Sequence, residues 1–310
     1  MKITPLTYNH HTAWAQLLAT CFNRTAQDMQ ALLDWLHQIG QLVAWGAWDG
    51  DTLVAQYTCL LRDLCHKQMT LSAGMSINMA VHPDYRGQGL VKQVSAPVYD
   101  HVQSQGALIG MGFSNAEGVQ VDKNSKSYGY QVLGKLESHI SLLPATHYGY
   151  VDLNNHFPDN LCFPCIKQNA DRIRFIKTVA SFRLRYDAHP FRNYRYGFWY
   201  DNQQIQGVVV YREIQRFGVK GVALLDACGI DLAELIRKWG STMHKNGYRF
   251  VHTMVTPSAD LKTVLQTLYT TLQVPYIRTP YYLTIKPLTN NLPDSMESFT
   301  QWDFIGGDIL

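Results

Sequence analysis

One short segment combines residue types and spacing that are suited to binding an anion. It is INMAVHPDYRGQGLVK, residues 77–92. An apolar strand would run to Val81, Pro83 would end it, and two glycines would let the backbone approach a ligand before a helix begins near Leu90. The first N–H groups of a helix have no intrahelical acceptor and lie at the positive end of its dipole, and Arg86 adds a permanent positive charge. The segment therefore predicts a pyrophosphate-binding turn.

The flanking elements are predicted to hold this turn at the edge of a sheet. Apolar periodicity and turn residues predict, in chain order, a strand at 2–6, helices at 11–22 and 26–38, a hairpin with strands at 42–47 and 53–61, a strand at 69–81, a helix at 90–105 and a buried parallel strand at 107–113. Pro97 should kink the last of these helices rather than end it, because the apolar spacing continues beyond it.

The layout of the first half starts again in the second half. GFWYDNQQIQGVVVY at 197–211 repeats the order of AWGAWDGDTLVAQY at 44–57: an aromatic strand, a polar turn and an apolar strand. We expect a strand at 219–225, helices at 231–246 and 259–272, and strands at 248–255 and 281–285. Two weakly similar copies of one α/β unit explain this order, and two unrelated α/β domains remain the alternative.

The overall composition excludes several classes of function. The 310 residues are 46% hydrophobic and 16% charged, which is typical of a globular protein rather than a disordered one. A net charge of +3 is too small to indicate a nucleic-acid or anionic-membrane partner. No apolar run approaches the ~20 residues that cross a bilayer.

The cysteines and the N-terminus indicate a reducing compartment. MKITPLTYNHHTAW lacks the apolar region of a signal peptide, and the six cysteines are scattered along the chain, so we expect reduced thiols in a cytoplasmic protein. Cys162 and Cys165 form one CxxC in a proline-containing stretch. Because a zinc site would need a second pair of ligands, we interpret this CxxC as a linker and predict no metal site.

The loop is neither a Rossmann turn nor a Walker loop, since it has neither G-x-G-x-x-G nor GK[ST]. VHPDYRGQGL instead resembles motif A of the GNAT superfamily of acetyl-CoA-dependent acetyltransferases: an apolar strand, a Pro, an aromatic residue, then Arg-x-x-Gly-x-Gly/Ala. Arg86, Gly87 and Gly89 match this form, and Val91 replaces the last small residue. The resemblance covers residues 1–150 well. Residues 172–287 resemble only the outline, with no glycine loop between Leu225 and Leu232.

The resemblance implies a fold class and a division of the chain. The fold would be α/β, with two GNAT-like units that are each a mixed, mainly antiparallel sheet flanked by helices. Residues 1–150 would form the acetyl-CoA-binding unit, 151–171 a connection, 172–290 a degenerate copy without its cofactor site, and 291–310 a C-terminal tail.

The resemblance also implies which residues contact the co-substrate, acetyl-CoA. Backbone groups of the strand before the loop would bind the pantetheine arm, and amides of the loop and first helical turn would bind the pyrophosphate. Asn115 is either a helix N-cap or a further cofactor contact. The implied residues are Met79, Ala80, Val81, Arg86, Gly87, Gln88, Gly89, Leu90, Val91 and Asn115.

The catalytic groups are less clearly marked. The family tyrosine is replaced by Ser125, and Tyr128 is the nearest hydroxyl that could protonate the leaving thiolate, or else a packing aromatic. The strand before the loop contains no carboxylate to act as a general base. His82 could accept a proton, although histidine is common at this place in the family without that role.

The tail, residues 294–310, contains four acids together with several large apolar residues, so we expect it to pack back onto the protein. Trp302 could anchor it near the cleft so that Asp308 or the Leu310 carboxylate supplies the missing base. The alternative is a tail that only seals the junction between the halves.

These observations predict an N-acetyltransferase in which a primary amine attacks the thioester of acetyl-CoA directly. The acceptor would be a small molecule or a peptide. One alternative is transfer of a longer acyl group. Another is a non-catalytic protein that binds or senses acyl-CoA, which Val91 and the missing carboxylate favour.

Overall fold

Two β-sheets with helices on their faces make up the part of the chain that the computed structural model describes, residues 1–67, 69–119, 129–158, 171–275 and 280–309. The strands are β1 (Lys2–Pro5), β2 (Leu42–Asp49), β3 (Thr52–His66), β4 (Met69–Val81), β5 (Ala107–Ser114), β6 (Gln131–Lys135), β7 (Glu137–Leu142), β8 (Asp152–Asn154), β9 (Arg174–Phe175), β10 (Arg195–Asp201), β11 (Gln204–Arg216), β12 (Val219–Gly229), β13 (Phe250–Val255), β14 (Thr271–Gln273) and β15 (Tyr282–Pro287). The longer helices are α1 (His11–Phe22), α2 (Ala26–Ile39), α3 (Leu90–Ser104), α4 (Leu232–Lys245) and α5 (Asp260–Leu268).

Both sheets are mixed and mainly antiparallel. The first has the order β1-β2-β3-β4-β5-β15-β6, with the short β9 beside β3, and the second has the order β14-β7-β13-β12-β11-β10-β8. In each sheet the described strands contain one parallel pair, β4–β5 in the first and β12–β13 in the second. The predicted fold class, two such sheets flanked by helices, is therefore confirmed.

The two sheets exchange one strand each. β15, from the end of the chain, lies between β5 and β6 in the first sheet, where Ile285 pairs with Met111. β7, from the first half, lies between β13 and β14 in the second sheet, where Ile140 pairs with His252. The division at residues 150 and 172 stays a prediction, but the last strand of each predicted unit pairs in the other unit's sheet.

The helices cover the sheets with apolar faces spaced at helical intervals. Val94, Val98 and Val102 of α3 are fully buried against the first sheet, and α3 continues through Pro97 as predicted. Trp239 of α4 is fully buried against the second sheet. No helix in the described ranges is long and apolar enough to cross a bilayer.

Candidate functional site

A cleft opens where the parallel strands β4 and β5 part. Their pairing runs from Ser72 opposite Ala107 to Met75 opposite Met111 and does not continue into the last residues of either strand. Between the diverging ends lies a cleft of about 320 Å³. Its described lining is apolar, aromatic or neutral polar: Phe22, Tyr57, Met75, Ser76, Ile77, Asn78, Met79, Val91, Gly112, Phe113, Ser114, Asn115, Gly118, Tyr130, Tyr281, Thr284 and Ile309.

A β-bulge in β4 contributes to this opening. Tyr57 of β3 lies opposite two residues of β4, because Gln56 pairs with Ala80 and Thr58 pairs with Ile77. Asn78 takes a φ of 49° in the bulge, a conformation that asparagine tolerates better than most residues. The Gln56 side-chain amide donates a hydrogen bond to the Asn78 carbonyl oxygen. A bulge bends its strand, and here it changes the direction of β4 beside the cleft.

The glycine loop presents its backbone to solvent at the start of α3. A short turn at Pro83–Tyr85 follows β4, Gly87 and Gly89 have φ values of 78° and 69°, and Gly89 is the N-cap of α3. A Cβ added to either glycine would have no other atom within 4 Å. The glycines are therefore needed for their left-handed conformation rather than for lack of space. The open space leaves room for an anion at the first-turn amides of α3.

The predicted binding residues lie together around this opening. Met79, Val91 and Asn115 line the cleft, whereas the Ala80 side chain is buried on the opposite face of β4. The Val81 carbonyl oxygen accepts hydrogen bonds from Arg86 Nε and Cys21 Sγ, each at 3.3 Å. The remaining predicted residues form the loop and the first turn of α3: Arg86, Gly87, Gln88, Gly89 and Leu90. Their role in binding acetyl-CoA stays a prediction.

Asn115 acts as a helix cap. Its Oδ1 accepts a hydrogen bond from Gly118 N at 2.8 Å and begins the helical turn at 116–119. This is one of the two roles that the sequence left open, and Asn115 also remains part of the cleft lining.

Three tyrosine hydroxyl groups meet at the cleft. Tyr57, Tyr99 and Tyr130 are mutually hydrogen-bonded, with 3.0 Å between the hydroxyl oxygens of Tyr57 and Tyr130. Burial raises the pKa of all three above the usual tyrosine value, so at neutral pH each hydroxyl is protonated. Tyr128, the predicted acid, lies outside the described residues. Sequence reasoning missed Tyr130, although Ser127-Tyr-Gly-Tyr130 offers two tyrosine hydroxyls near this point.

No carboxylate or imidazole is found among the described residues that line the cleft. His82 instead caps the turn after β4, where its Nδ1 accepts a hydrogen bond from Asp84 N at 3.4 Å. Neither β4 nor the rest of the described lining therefore supplies a carboxylate or imidazole that could act as a general base.

The C-terminal tail packs against both sheets, as expected. Trp302 and Phe304 are fully buried, and Ile309 lines the cleft, where Arg185 Nη2 donates to its carbonyl oxygen at 2.7 Å. Asp308 lies in a different, smaller cavity, with its Oδ1 3.1 Å from Lys177 Nζ. This buried ion pair separates Asp308 from the base role considered for it. Leu310 lies outside the described residues.

The matching opening in the second sheet contains this tail. β12 and β13 pair as far as Leu224 opposite Thr253. Beyond that point Ile305 bridges to Val255, and a Cβ added to Gly307 would lie 2.6 Å from the carbonyl oxygen of Leu225. The tail backbone thus occupies the space that corresponds to the cleft of the first sheet.

The helix that follows β12 also differs from α3 at its first turn. Asp231 is the N-cap of α4, and its carboxylate accepts a hydrogen bond from Glu234 N at 2.9 Å. The chain's own negative charge therefore lies where a phosphate would bind, and it would repel one.

Comparison by sequence connects the first half with a known family. Residues 2–132 match the family model of the acetyltransferase (GNAT) domain. A search of curated proteins finds no match.

Solved structures share the fold of almost the whole chain. A conserved protein of unknown function from Enterococcus faecalis V583 aligns with a TM-score of 0.67 at 11% identity, over 93% of this chain and 72% of that one. A GCN5-related N-acetyltransferase from Anabaena variabilis aligns with a TM-score of 0.67 at 9% identity, over 93% and 73%. One from Kribbella flavida aligns with a TM-score of 0.60 at 13% identity, over 92% and 70%. At these identities the similarity shows the fold.

Proposed function

We propose that this chain, whose residues 2–132 match the GNAT acetyltransferase domain, is an acyltransferase that transfers an acetyl group from acetyl-CoA to a primary amine. The proposal is based on one observation: the cleft and the glycine loop adjoin each other. The cleft between β4 and β5 shares Met79 and Val91 with the strand and the helix on either side of the glycine loop. Acetyl-CoA needs both features: a strand edge for its extended pantetheine arm, and an anion-binding site for its pyrophosphate.

The residues present fit such a co-substrate. The first-turn amides of α3 and the Arg86 guanidinium would hold the pyrophosphate. Polar backbone groups of β4 beyond Met75, where the pairing with β5 ends, would hydrogen-bond the amide groups of the pantetheine arm as a neighbouring strand would.

Acetyl-CoA supplies a thioester whose carbonyl carbon the acceptor amine attacks, with the C–N bond forming and the C–S bond breaking. The chain's part is to orient the two molecules and to donate hydrogen bonds to the developing charge. Tyr130 is the described hydroxyl that we assign to protonate the leaving sulfur, since it lines the cleft and is protonated at neutral pH. The amine would lose its proton to ordered water, because the described lining offers no carboxylate.

Two measurements test the proposal. Calorimetry should detect acetyl-CoA binding, and release of CoA thiol should follow addition of at least one member of a panel of primary amines. Tyr130→Phe should lower kcat about 10- to 100-fold with little change in acetyl-CoA affinity. Tyr128→Phe is the matched variant, and a larger loss there would transfer the role to Tyr128.

Two other outcomes would redirect the assignment. Binding without turnover on any amine would favour the acyl-CoA sensor, and faster turnover with longer acyl-CoA thioesters would favour the broader acyltransferase.

A cytoplasmic location belongs to the same proposal. It is supported by the four described cysteines, which are all free thiols: Cys21, Cys59, Cys65 and Cys228.

A further inference from the structure

A second cavity, of about 250 Å³, lies beside the cleft on the second sheet. Tyr281 and Ile309 line both spaces, so the two share a wall. Unlike the cleft, whose described lining has no charged side chain, the second cavity includes two arginines and a histidine, Arg192, Arg212 and His252, among apolar neighbours.

The floor of this cavity is one row of paired residues across three strands. Arg212 of β11 pairs with Ala223 of β12, and Ala223 pairs with His252 of β13. Directly paired residues share a face of the sheet, and strands lie about 4.8 Å apart, so Arg212 and His252 flank the small alanine across a gap of about 10 Å. The row therefore forms a recess with a cation on one side and an imidazole on the other.

His252 is held in place as a neutral hydrogen-bonding group. The Ser138 hydroxyl lies 2.7 Å from His252 Nε2 and fixes the ring. Burial, followed by the charges of Arg216 and His139, lowers the pKa of His252 to about 4, so the ring is uncharged at neutral pH. The formal charge of the recess then comes from the arginines.

The cations of this cavity differ from the neighbouring cations in having no counter-charge. Arg174 lies 3.5 Å from Asp303, and Lys177 lies 3.0 Å from Asp226. Within the described ranges, Arg192 and Arg212 form no ion pair, and no Asp or Glu lines the cavity. Arg212 is half-buried, and a partly desolvated guanidinium without an anion is unfavourable.

A histidine near these arginines also reflects their uncompensated charge. After burial, the charges of Arg192, Arg185 and Arg212 are the main causes that lower the pKa of His189 to about 3. Arg185 is already bonded to main-chain oxygens of the tail, at Gly307 and Ile309. Arg192 and Arg212 are thus the pair left to bind an external anion.

We propose that this cavity is the acceptor subsite and that it binds a carboxylate or phosphate group of the acceptor through Arg192 and Arg212. The proposal rests on the proposed function, because the shared wall of Tyr281 and Ile309 brings the cavity next to the cleft that would hold acetyl-CoA. The acceptor class is therefore an amine that also carries an anionic group.

Matched pairs of amines test this proposal. Protein saturated with CoA is titrated in a calorimeter with 4-aminobutyrate against 4-aminobutanamide, and with O-phosphoethanolamine against ethanolamine. The first pair reports a carboxylate site and the second a phosphate site. The anionic member of at least one pair should bind about 10- to 100-fold more tightly than its neutral partner, the range expected for charge-assisted hydrogen bonds.

Substitutions test whether Arg192 and Arg212 cause the preference for the anionic amine. In the double variant Arg192→Gln, Arg212→Gln the preference should fall below about twofold. Arg249→Gln makes the same change of charge at an exposed side chain that does not line the cavity and that is bonded to the main-chain oxygens of His244 and Tyr248, so it should retain the preference. Acetyl-CoA affinity of the double variant should stay within about twofold of wild type, which also shows that it folds. Absence of acetyl-CoA binding in the wild type would instead remove the proposed function.

Three results would overturn the subsite. One is equal binding of the anionic and neutral probes by the wild type. Another is a preference that survives in the double variant. The third is a loss of acetyl-CoA affinity in the double variant, since that would assign the cavity to a phosphate of the co-substrate.

Discussion

The parallel strands part in both sheets, but the two openings are used differently. Beyond Met75 and Met111 the first sheet leaves a cleft of about 320 Å³, whereas beyond Leu224 and Thr253 the second sheet pairs with the C-terminal tail. A parting of strands exposes backbone groups that need partners. In the second sheet the chain supplies such a partner itself, since Ile305 of the tail bridges to Val255, whereas the first sheet leaves the corresponding space open.

The helix that follows each opening shows the same contrast on a smaller scale. Gly89 begins α3 without a side-chain cap, and Asp231 begins α4 with a carboxylate bonded to Glu234 N. A self-capped helix has a stable first turn and no affinity for a further anion. The chain's own carboxylate therefore caps the first turn of α4, whereas the first turn of α3 has no side-chain cap.

The largest effect is expected at the glycine loop. Gly89→Glu should reduce acetyl-CoA affinity more than about a thousandfold, about 4 kcal/mol, because a negative side chain would lie in the phosphate seat. Gly218→Glu is the matched control, since Gly218 in the β11–β12 turn also has a positive φ, 78°, and open space around it. Calorimetry on both variants separates the anion seat from backbone strain. Equal affinities in the two variants would contradict the assignment of the loop.

The tail should matter for stability rather than for co-substrate binding. Phe304→Ala removes a fully buried ring from the segment that fills the second opening and should lower the free energy of unfolding by about 3–5 kcal/mol. Phe217→Ala, at a wholly exposed phenylalanine, should leave it unchanged. Urea denaturation measures both. A small loss for Phe304→Ala would mean that packing of the tail on the core of the first sheet contributes little to stability.

Asp303 of the C-terminal tail should also make the free energy of unfolding depend on pH. Burial, with the charge of Asp260, raises the pKa of Asp303 to about 6 despite Arg174 nearby, so between pH ~4 and 6 the folded state binds more protons than the unfolded state. The stabilising contribution of Asp303 is complete below its unfolded pKa and is lost as the pH rises to about 6. The unfolding free energy of the wild type should therefore fall, relative to Asp303→Asn, by up to about 3 kcal/mol over this range. If the unfolding free energies of the wild type and of Asp303→Asn change in parallel with pH, the pKa of Asp303 is not raised in the folded state.

The smallest of these effects is expected from a single charge at the first opening. Arg86→Ala should weaken acetyl-CoA binding by about 1.5–3 kcal/mol, the range for a hydrogen bond to a charged group. Arg237→Ala, near the start of α4 in the second half, should leave the affinity unchanged because Arg237 is bonded to Glu234. If both variants bind acetyl-CoA as the wild type does, Arg86 has no part in the anion seat.

Local features were predictable because neighbours in sequence determine them. The strand at 69–81, the glycine loop and α3 with Pro97 inside it lie where the sequence placed them. Strands β6 and β7 were missed, since Gln131–Lys135 and Glu137–Leu142 are short and take their partners from the other end of the chain or the other half. Cys162, Cys165 and Tyr128 lie outside the described residues, so the predictions made for them stay predictions.

The sequence by itself determined the loop at residues 82–90 and the order of the longer strands and helices around it, from β1 to β5, because turn conformations and apolar periodicity act over a few residues. Only the tertiary structure decided that β7 and β15 change sheets, that the tail fills the second opening, and that Tyr130 and the Arg192–Arg212 pair lie beside the cleft. Each of these depends on which strand edge is left unpaired once the others have formed. That competition involves the whole chain, and no local pattern reports its outcome.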